Sequence, residues 1–398
     1  MINLDCFILR NDDQVGNFDL VIKKNILNLI QMNFYTYFSQ NQNWVKLWKT
    51  SKSNPQFDYF VHTQYGCEFV IYQYPYSFGQ VMWFANCLGK ESDLKNLDID
   101  KLNSILTHIT TKAKDQDNVV ILKLSFNPDF VEQLLAKKDK LDCQETNKPI
   151  TTSQELFQHL QLTFGNRIVI PDNNLQNNST IVLDLKAIPN DLIYSSQSNQ
   201  NQVLTTDILA QFWSDSQEFW KTTSSNIRRY TKKSLTQNWT VDINKNNFDQ
   251  AYDLLILKCQ ELGFFVHDKQ FIQSILDQDN AYLITLKDSS GAVQGCWIGF
   301  QYDDVMIYWY GANSQVSFDN YGQYLMHLTA IYLTLKNQGT DYDLGGYSPT
   351  EGFGKFKELY RGRIVSFCGD YDIVVKPNLH NLDKLSCQFK KLVSKLKG

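Results

Sequence analysis

One order of helices and strands occurs twice along this chain, and this repeat limits the folds that the chain can adopt. In the first half, apolar residues at helical spacing predict a helix over Asn25–Gln40. Three strand-like runs rich in β-branched and aromatic residues follow, at Phe57–His62, Cys67–Tyr74 and Gln80–Cys87. An amphipathic helix over Asp98–Asp115 and an apolar strand over Asn118–Phe126 complete the series.

The second half repeats this order. Two helices are predicted over Phe248–Leu262 and Asp268–Leu276, and a longer one over Asn320–Asn337. Between the second and the third helix lie three predicted strands, at Ala281–Lys287, Ala292–Tyr302 and Val305–Ala312. A short strand, Tyr342–Leu344, then leads into two consecutive glycines.

A helix, a three-stranded meander, a helix and a further strand are the order of the GNAT acyltransferase fold, and two copies indicate a tandem duplication. We therefore predict an α+β protein of two GNAT-like domains, each a mixed, mostly antiparallel sheet flanked by helices. The first domain is expected over residues 1–165 and the second over 166–365, with residues 366–398 packing back on the first. The polar segment Asp142–Ser179 is expected to be a turn-rich bridge, Asn199–Gln202 a loop and Leu382–Gly398 a basic amphipathic helix.

Composition and charge exclude several classes of function. A formal net charge of −4 argues against a broad nucleic-acid-binding surface, so any RNA contact needs a local basic patch. The eight cysteines form no CxxC pair and the six histidines no HxxxH pair, so no metal site is predicted. The N-terminus lacks a signal-peptide pattern, and no apolar run approaches the roughly 20 residues that cross a bilayer. We expect a cytoplasmic protein that could work at the inner face of the plasma membrane.

Five short segments carry a resemblance to a known family. Tyr342–Gly346 reads YDLGG, and Gly354–Gly362 reads GKFKELYRG. Upstream, Ile307–Ala312 reads IYWYGA, Asn226–Lys233 reads NIRRYTKK and Ser39–Lys46 reads SQNQNWVK. Taken in their order along the chain, and most strongly in the second half, these segments resemble the motifs of the FemABX family of peptidoglycan-bridge aminoacyltransferases.

The resemblance implies tandem GNAT domains that transfer an amino acid from aminoacyl-tRNA to the stem peptide of a peptidoglycan precursor, either UDP-MurNAc-pentapeptide or lipid II. This role belongs to cell-wall biogenesis and cell shape. Aminoacyl-tRNA is then a co-substrate, and no cofactor or metal is expected. The segment Ala251–Gly263 leads directly into Phe264 and leaves no room for the long helical arm of some members, so the compact FemX-like architecture is expected.

The resemblance also places Lys357 at the reaction centre. An aminoacyl ester is already activated, so its aminolysis needs positioning and stabilisation of the oxyanion on the attacked carbonyl rather than a covalent intermediate. One well-placed donor supplies about 3–4 kcal/mol toward that stabilisation. We expect Lys357 to hold its charge near the ester; the alternative is a surface lysine paired with Glu358 or Asp343.

Further residues beside this lysine are candidates for substrate binding. Tyr310 matches a family tyrosine that lines the acceptor channel, and Tyr308 is expected to face the same side because side chains alternate along a strand. Gly345 and Gly346 fit a tight turn whose N–H groups could approach phosphate or peptide. Phe356 joins this group, although it is expected to pack the loop more than to touch substrate. A strand core is the alternative place for the tyrosines, and a plain turn for the glycines.

Two basic groups are candidates for phosphate contacts. The first comprises Arg228, Arg229, Lys232 and Lys233. Their helical spacing is typical of a solvated helix face, and the alternative is a phosphate grip on tRNA or the lipid-linked precursor. The second comprises Lys46 and Lys49, both of which lie near the position at which the family holds the precursor's phosphates.

Three positions depart from the family's pattern. The family's acceptor-binding arginine and tyrosine correspond to His267 and Phe271, and a neutral histidine cannot clamp a phosphate as an arginine does. The acid of the family's FDP motif corresponds to Asn127, and asparagine cannot act as a base. Either this acid is dispensable or the acceptor differs.

Two other functions stay open at this point. An acyl-CoA-dependent N-acyltransferase needs a Q/RxxGxG/A turn at a helix start, and the matching place, Asp319–Tyr324, has the single glycine Gly322. A non-catalytic precursor-binding relative would fit the changed acceptor residues. Lys357 in its FK context favours an enzyme over that relative.

Overall fold

The computed structural model describes residues 59–64, 67–75, 80–88, 98–126, 152–171, 179–189, 202–264, 266–302, 304–367, 369–382 and 385. These residues form two compact units. The first takes the described residues up to 177 and those from 367 onward, and the second takes those of 178–366. The predicted helix Asn25–Gln40, the candidates Lys46, Lys49 and Asn127, and nearly all of Leu382–Gly398 lie outside the described residues.

The strands of the described residues are, in chain order, β1 Tyr59–Gln64, β2 Cys67–Pro75, β3 Val81–Leu88, β4 Val119–Ser125, β5 Ile168–Val169, β6 Ser179–Asp184, β7 Gln202–Leu204, β8 Thr240–Ile243, β9 Ala281–Lys287, β10 Val293–Tyr302, β11 Val305–Asn313, β12 Asp341–Gly346, β13 Arg363–Ser366 and β14 Asp370–Val374. The α-helices are α1 Ile99–Asp115, α2 Thr152–Phe164, α3 Thr206–Asp215, α4 Gln217–Thr222, α5 Ser225–Ser234, α6 Phe248–Leu262, α7 Lys269–Leu276, α8 Gln315–Asp319, α9 Gly322–Lys336 and α10 Gly352–Glu358.

The first unit is built on a six-stranded sheet in the order β1-β2-β3-β4-β14-β5. Its first three strands form the antiparallel meander expected from the sequence, and β4 then pairs parallel to β3. Helix α1 begins where the Asp98 carboxylate accepts the N–H of Lys101 at 2.8 Å, an N-cap that satisfies one of the unpaired donors of the first turn. The apolar face of α1 then buries Ile99, Leu102, Ile105, Leu106 and Ile109.

A buried charge cluster ties strand β14 to strand β4 within this unit. β14 pairs antiparallel with β4, so residues near the C-terminus share a sheet with residues from the first half of the chain. Lys123 of β4 is buried, and its Nζ lies 2.5 Å from Asp372 Oδ1 and 3.9 Å from Asp370 Oδ2. Because a buried ammonium without a partner costs several kcal/mol, roughly 3–5, this pairing fixes the register of the two strands.

The expectation of a turn-rich bridge over Asp142–Ser179 is wrong for part of that segment. Helix α2 occupies Thr152–Phe164, and strand β5 follows it closely. Leu156, His159 and Leu160 of α2 are buried, and Phe157 and Phe164 pack partly against the same core. These apolar residues stand within a long segment that is otherwise polar, so the composition of the segment as a whole resembles that of a loop.

The second unit is built on an eight-stranded sheet in the order β13-β6-β12-β11-β10-β9-β8-β7. Its pairs are antiparallel except β11 with β12. Helix α6 ends at Gly263, whose φ of +70° is the left-handed conformation in which glycine commonly stops a helix. Helix α9 is buried almost all round, from Gly322 to Leu335. Two mixed sheets flanked by helices confirm the predicted α+β class.

Within the second unit, the longest helices are α6 and α9, of 15 residues each. Across the described part of the chain, no helix is long and apolar enough to span a membrane.

Candidate functional site

The candidate site lies where strands β11 and β12 part. The two strands pair in parallel at Val305↔Asp341, Met306↔Tyr342 and Ile307↔Asp343, and there the pairing stops. β11 continues to Asn313 and β12 to Gly346. Beyond Ile307, the edge of β11 that faces β12 has no ladder partner there, whereas Gly345 and Gly346 of β12 bond to Asp343, Thr180 and Lys357. An open strand edge of this kind is suited to hold an extended ligand.

A glycine turn forms the β12 side of this gap. Gly345 has φ +73°, the left-handed region that glycine adopts without strain. A Cβ at this position would lie 2.6 Å from the Tyr308 carbonyl oxygen, so the two backbones approach more closely than any side chain permits. The Asp343 carboxylate accepts the N–H of Gly345 at 2.8 Å, and the Thr180 hydroxyl donates to Asp343 and lies 2.8 Å from the Gly345 carbonyl oxygen.

The Lys357 ammonium is fixed beside this turn. Lys357 lies on the short helix α10 and is only 7% exposed. Its Nζ donates to the Gly346 carbonyl at 2.6 Å, and it lies 5.6 Å from the Tyr308 ring centroid and 5.2 Å from that of Phe353. Among the described residues, this carbonyl is the one hydrogen-bond acceptor of the ammonium. Two of its three N–H donors are therefore left for a ligand.

Burial disfavours the charged forms of both Lys357 and Asp343. It lowers the pKa of Lys357 to about 8, against the attraction of the Asp343 carboxylate. It raises the pKa of Asp343 to about 7, against the opposing effects of the Gly345 N–H, Lys357 and Arg363. Desolvation thus outweighs the attraction between the two side chains. An ammonium so short of compensating partners is stabilised strongly by an incoming negative oxygen.

A buried chain of polar groups supports the floor of the site. Trp297 Nε1 donates to the Tyr342 oxygen at 3.0 Å, and this hydroxyl lies 2.6 Å from His327 Nδ1. The Tyr342 proton is then left for Nδ1, which makes His327 an acceptor there. Burial, together with the nearby Lys357 charge, lowers the pKa of His327 to about 3, so the imidazole stays neutral. Its ring meets the Tyr308 ring edge to face at 5.2 Å.

Phe356 packs beside the lysine. Its ring centroid lies 5.4 Å from that of Tyr324, 5.5 Å from His327 and 5.6 Å from Tyr360. These contacts hold helix α10 against helix α9 and fix the direction from which the next residue, Lys357, enters the gap.

Tyr308 and Tyr310 do not contact the same neighbours, so the expectation of a shared side is wrong. The register of β10 against β11 shifts between Ile298 and Gly299, which face Tyr310 and Tyr308 respectively. The extra residue, Trp309, forms a β-bulge and breaks the two-residue alternation. The Tyr308 ring stacks on Trp297 at 6.0 Å, near Lys357, whereas Tyr310 lies 4.6 Å from Trp309 and bonds elsewhere.

His267 and Tyr310 are brought together as a hydrogen-bonded pair. His267 Nδ1 lies 2.7 Å from the Tyr310 hydroxyl, and its ring centroid lies 4.6 Å from that of Phe271. Burial lowers the pKa of His267 to about 4, so this side chain is neutral at pH 7. Phe271 is fully buried beneath it. The pair presents neutral hydrogen-bonding groups and aromatic surface, and it lacks the charge of a phosphate clamp.

The predicted basic group on helix α5 divides into one structural and three exposed cations. Arg228 turns toward the end of helix α4, where its Nη1 lies 2.5 Å from the Thr223 carbonyl oxygen and 3.4 Å from those of Trp220 and Lys221. This guanidinium satisfies carbonyls that the helix end leaves unpaired. The exposed members of the group are Arg229, Lys232 and Lys233.

Sequence reasoning missed part of the site. Asp343 and Tyr342 stand inside the YDLGG run, where a carboxylate and a hydroxyl within an otherwise apolar strand are the available signal. Thr180 carries no local signal, because it reaches Asp343 from a strand that is 163 positions away. His327 is a polar residue on a mostly apolar helix, and its neighbours Tyr308, Tyr342 and Phe356 come from β11, β12 and α10.

No family model matches the chain, and no curated protein sequence matches it. Among solved structures, the crystal structure of FemX superposes with a TM-score of 0.57 over 84% of this chain and 92% of FemX, at 13% sequence identity. The chain has the FemX fold. At that identity, the likeness to FemX shows the fold alone.

A second solved structure is a tandem GNAT protein from the clavulanic acid biosynthesis pathway, without acetyl-CoA. It matches with a TM-score of 0.46 and 8% identity, over 81% of this chain and 83% of its own. The FemX fold confirms the tandem GNAT-like architecture that the sequence motifs implied. Across the described residues, no group of three or more His, Cys, Asp or Glu side chains could hold a metal ion.

Proposed function

We propose that this protein is an acyltransferase that moves an amino acid from aminoacyl-tRNA to an amine on the stem peptide of a peptidoglycan precursor, UDP-MurNAc-pentapeptide or lipid II. The observation that carries the proposal is the Lys357 ammonium, buried where strands β11 and β12 part. The FemX fold supports it, because the motifs that resemble the FemABX family lie on a chain with that fold.

The reaction needs a positive charge beside the carbonyl oxygen of the aminoacyl ester. The acceptor nitrogen attacks the ester carbonyl carbon, the new C–N bond forms, and the carbonyl π electrons move onto oxygen. The tetrahedral intermediate then collapses, the bond to the ribose oxygen breaks, and the proton lost by the amine ends on that oxygen. Donors fixed in advance around the oxyanion lower the barrier, and removing one costs about 2.7–4 kcal/mol.

Lys357 fits this place in three respects. The Gly346 carbonyl holds its Nζ at 2.6 Å, so the charge does not have to be positioned during the reaction. Its remaining N–H groups are free to donate among the described residues. Its pKa of about 8 leaves it mostly protonated at pH 7 and makes it a stronger donor than a solvated lysine.

The extended part of the acceptor would lie along the parted strand ends. Backbone groups of β11 beyond Ile307 lack ladder partners toward β12, and a peptide can pair with such groups as an added strand does. His267 and Tyr310 would meet the acceptor with neutral hydrogen bonds and ring surface. On this arrangement, phosphate recognition of the precursor belongs to residues other than this pair.

A direct assay tests the proposal. Purified protein is incubated with a mixed pool of charged tRNAs and either UDP-MurNAc-pentapeptide or lipid II, and mass spectrometry measures the mass of the acceptor. We expect a gain equal to one or more amino-acid residues. Lys357→Met should abolish most of the gain, whereas Lys355→Met, which alters an exposed lysine on the same helix, should not. No mass gain on either acceptor contradicts the proposal, and acyl transfer from acyl-CoA instead would favour a conventional N-acyltransferase.

A further inference from the structure

Two stacked tyrosines with a cation against each ring form an unassigned surface of the second unit. The rings of Tyr230 and Tyr321 are nearly parallel, 12° apart, with centroids separated by 4.8 Å. The Arg229 guanidinium lies 4.5 Å from the Tyr230 centroid, and Lys233 Nζ lies 5.2 Å from that of Tyr321. Both cations are exposed and both tyrosines are half-buried. We call these four residues the tyrosine stack.

The tyrosine stack is continuous with the proposed reaction centre. Tyr230 lies 5.3 Å from Tyr324, and Tyr324 lies 5.4 Å from Phe356, the residue before Lys357. Aromatic rings therefore lead stepwise from the exposed cations toward the buried ammonium. The tyrosine stack and Lys357 therefore border one connected aromatic cluster, in which Tyr324 is buried and Tyr230 and Tyr321 reach the surface.

The backbone at Tyr321 is unusual for a tyrosine. Its φ of +61° lies in the left-handed region, which bulky residues rarely adopt and glycine or asparagine tolerate. No side-chain cap to helix α9 comes from this residue. The strain at this position is borne by a ring that packs partly against the core of the second unit and stacks on Tyr230 at the surface.

From these contacts we infer that the tyrosine stack binds the single-stranded 3′ end of the RNA donor, with bases on the Tyr230 and Tyr321 rings and phosphates beside Arg229 and Lys233. The inference rests on the proposed function, because it takes aminoacyl-tRNA as the donor. Aromatic rings combined with cations are the chemistry by which proteins hold single-stranded nucleic acid without reading its sequence. A local patch of this kind also suits a chain whose net charge is −4.

The present contacts of the cations are exposed and can be exchanged: besides its ring contact, Arg229 Nη2 donates to the Tyr230 hydroxyl at 2.6 Å and to Asn226 Oδ1 at 3.2 Å. An exposed cation–π contact is worth about 2- to 5-fold in affinity, whereas a base stacked on an aromatic ring is worth about 10-fold or more. A base can therefore replace a cation on a ring face. The released guanidinium or ammonium then gains a phosphate contact instead, so the exchange is favourable overall.

Fluorescence anisotropy with a labelled, uncharged short single-stranded RNA ending in CCA tests the inference without any transfer reaction. Tyr321→Leu should weaken binding about 10-fold, and Tyr321→Phe should bind as the wild type does. Tyr282→Leu is the matched control, a half-buried tyrosine on β9 whose hydroxyl accepts from Asn337. A wild-type affinity for Tyr321→Leu would overturn the inference, as would equally tight, Tyr321-dependent binding of duplex RNA.

The salt dependence separates the two kinds of contact. Lys233→Gln should lower the slope of log affinity against log salt by about 0.7, the value for one phosphate of a single strand. Tyr321→Leu should leave this slope unchanged, and so should the control Lys258→Gln on helix α6. An unchanged slope for Lys233→Gln contradicts the placement of a phosphate at this cation.

A stability measurement separates binding from packing. Tyr321→Asn relieves the left-handed backbone, so its melting temperature should stay within a few degrees of the wild type while RNA affinity falls. A purely structural tyrosine would show the reverse, a large loss of stability with RNA affinity intact. If the wild type transfers amino acids and the Tyr321 variants retain RNA affinity, the inference fails and the proposed function stands. If RNA binding depends on Tyr321 but no transfer occurs, the proposed function fails and the tyrosine stack stands.

Discussion

Replacing Lys357 by methionine should lower the transfer rate and raise the stability of the fold. Methionine has nearly the length and volume of the lysine side chain, so the cavity between the Tyr308 and Phe353 rings stays filled. The variant removes only the ammonium and its hydrogen bond to Gly346. The effects of charge and of packing are thereby separated.

The magnitude follows from the pKa of the buried lysine. A value lowered from 10.5 to about 8 means that folding disfavours the charged form by about 3 kcal/mol, at about 1.36 kcal/mol per pKa unit. Loss of the donor leaves the Gly346 carbonyl unpaired, which costs about 1–2 kcal/mol. The variant should therefore be more stable at pH 7 by roughly 1–2 kcal/mol. Removing an oxyanion donor should lower the transfer rate by about 10²- to 10³-fold.

Two measurements check this prediction. Single-turnover transfer from labelled aminoacyl-tRNA gives the rate of the chemical step, and urea denaturation followed by tryptophan fluorescence gives the free energy of unfolding. Lys355→Met serves as the control for a lysine-to-methionine change at an exposed position of helix α10. A variant that keeps the wild-type rate would show that the ammonium is not at the reacting oxygen. One that loses several kcal/mol of stability would show that Lys357 is a structural residue.

Three further predictions concern the same unit. The transfer rate should fall above about pH 8, because Lys357 then loses its proton. The free energy of unfolding in urea should instead rise from about pH 8 toward 10.5, because the unfolded lysine binds more protons than the folded one in this range. A rate and a stability that change with pH in the same direction would contradict this. Gly345→Ala should cost about 1–3 kcal/mol of stability and most of the activity. The backbone φ at this position is +73°, and the added Cβ would lie 2.6 Å from the Tyr308 carbonyl oxygen. An unfolding curve like that of the wild type would refute the close approach of the two backbones. Arg228→Ala should lower stability by about 1–2 kcal/mol, because it leaves carbonyls at the end of helix α4 unpaired. RNA affinity in the anisotropy assay should not change. Weaker RNA binding with unchanged stability would show that Arg228 contacts RNA and does not cap the helix.

Elements whose signals are local could be predicted from the sequence. Helix α6 has the predicted bounds, because its apolar periodicity stops at a glycine, and strand β9 also has the predicted bounds. Helix α2 was not predicted, because its apolar residues lie within a long polar segment and pack on a sheet that includes the distant strand β14. The bulge at Trp309 could not be predicted either, because it depends on the register between two strands.

The candidate site was predictable only at its chemical centre. The glycine pair and the FK segment place Lys357 beside a turn, and the structure brings these residues together. Its supporting partners are non-local: Thr180 comes from β6 and His327 from α9. A motif records the residue types that chemistry requires, whereas the partners that shift the pKa of a buried group can come from anywhere in the fold.

The cost of folding is concentrated at this one place in the second unit. Lys357 and Asp343 are both buried with pKa values shifted toward their neutral forms, and Tyr321 holds a left-handed backbone that a tyrosine rarely adopts. Each of these three features lowers stability, and a protein selected for stability alone would replace them. Desolvated charge and strained backbone persist together where the unbound site is incomplete and a ligand supplies the missing partner. On the proposed function, an oxyanion at Lys357 and a base at Tyr321 would be partners of that kind, both supplied by one aminoacylated RNA.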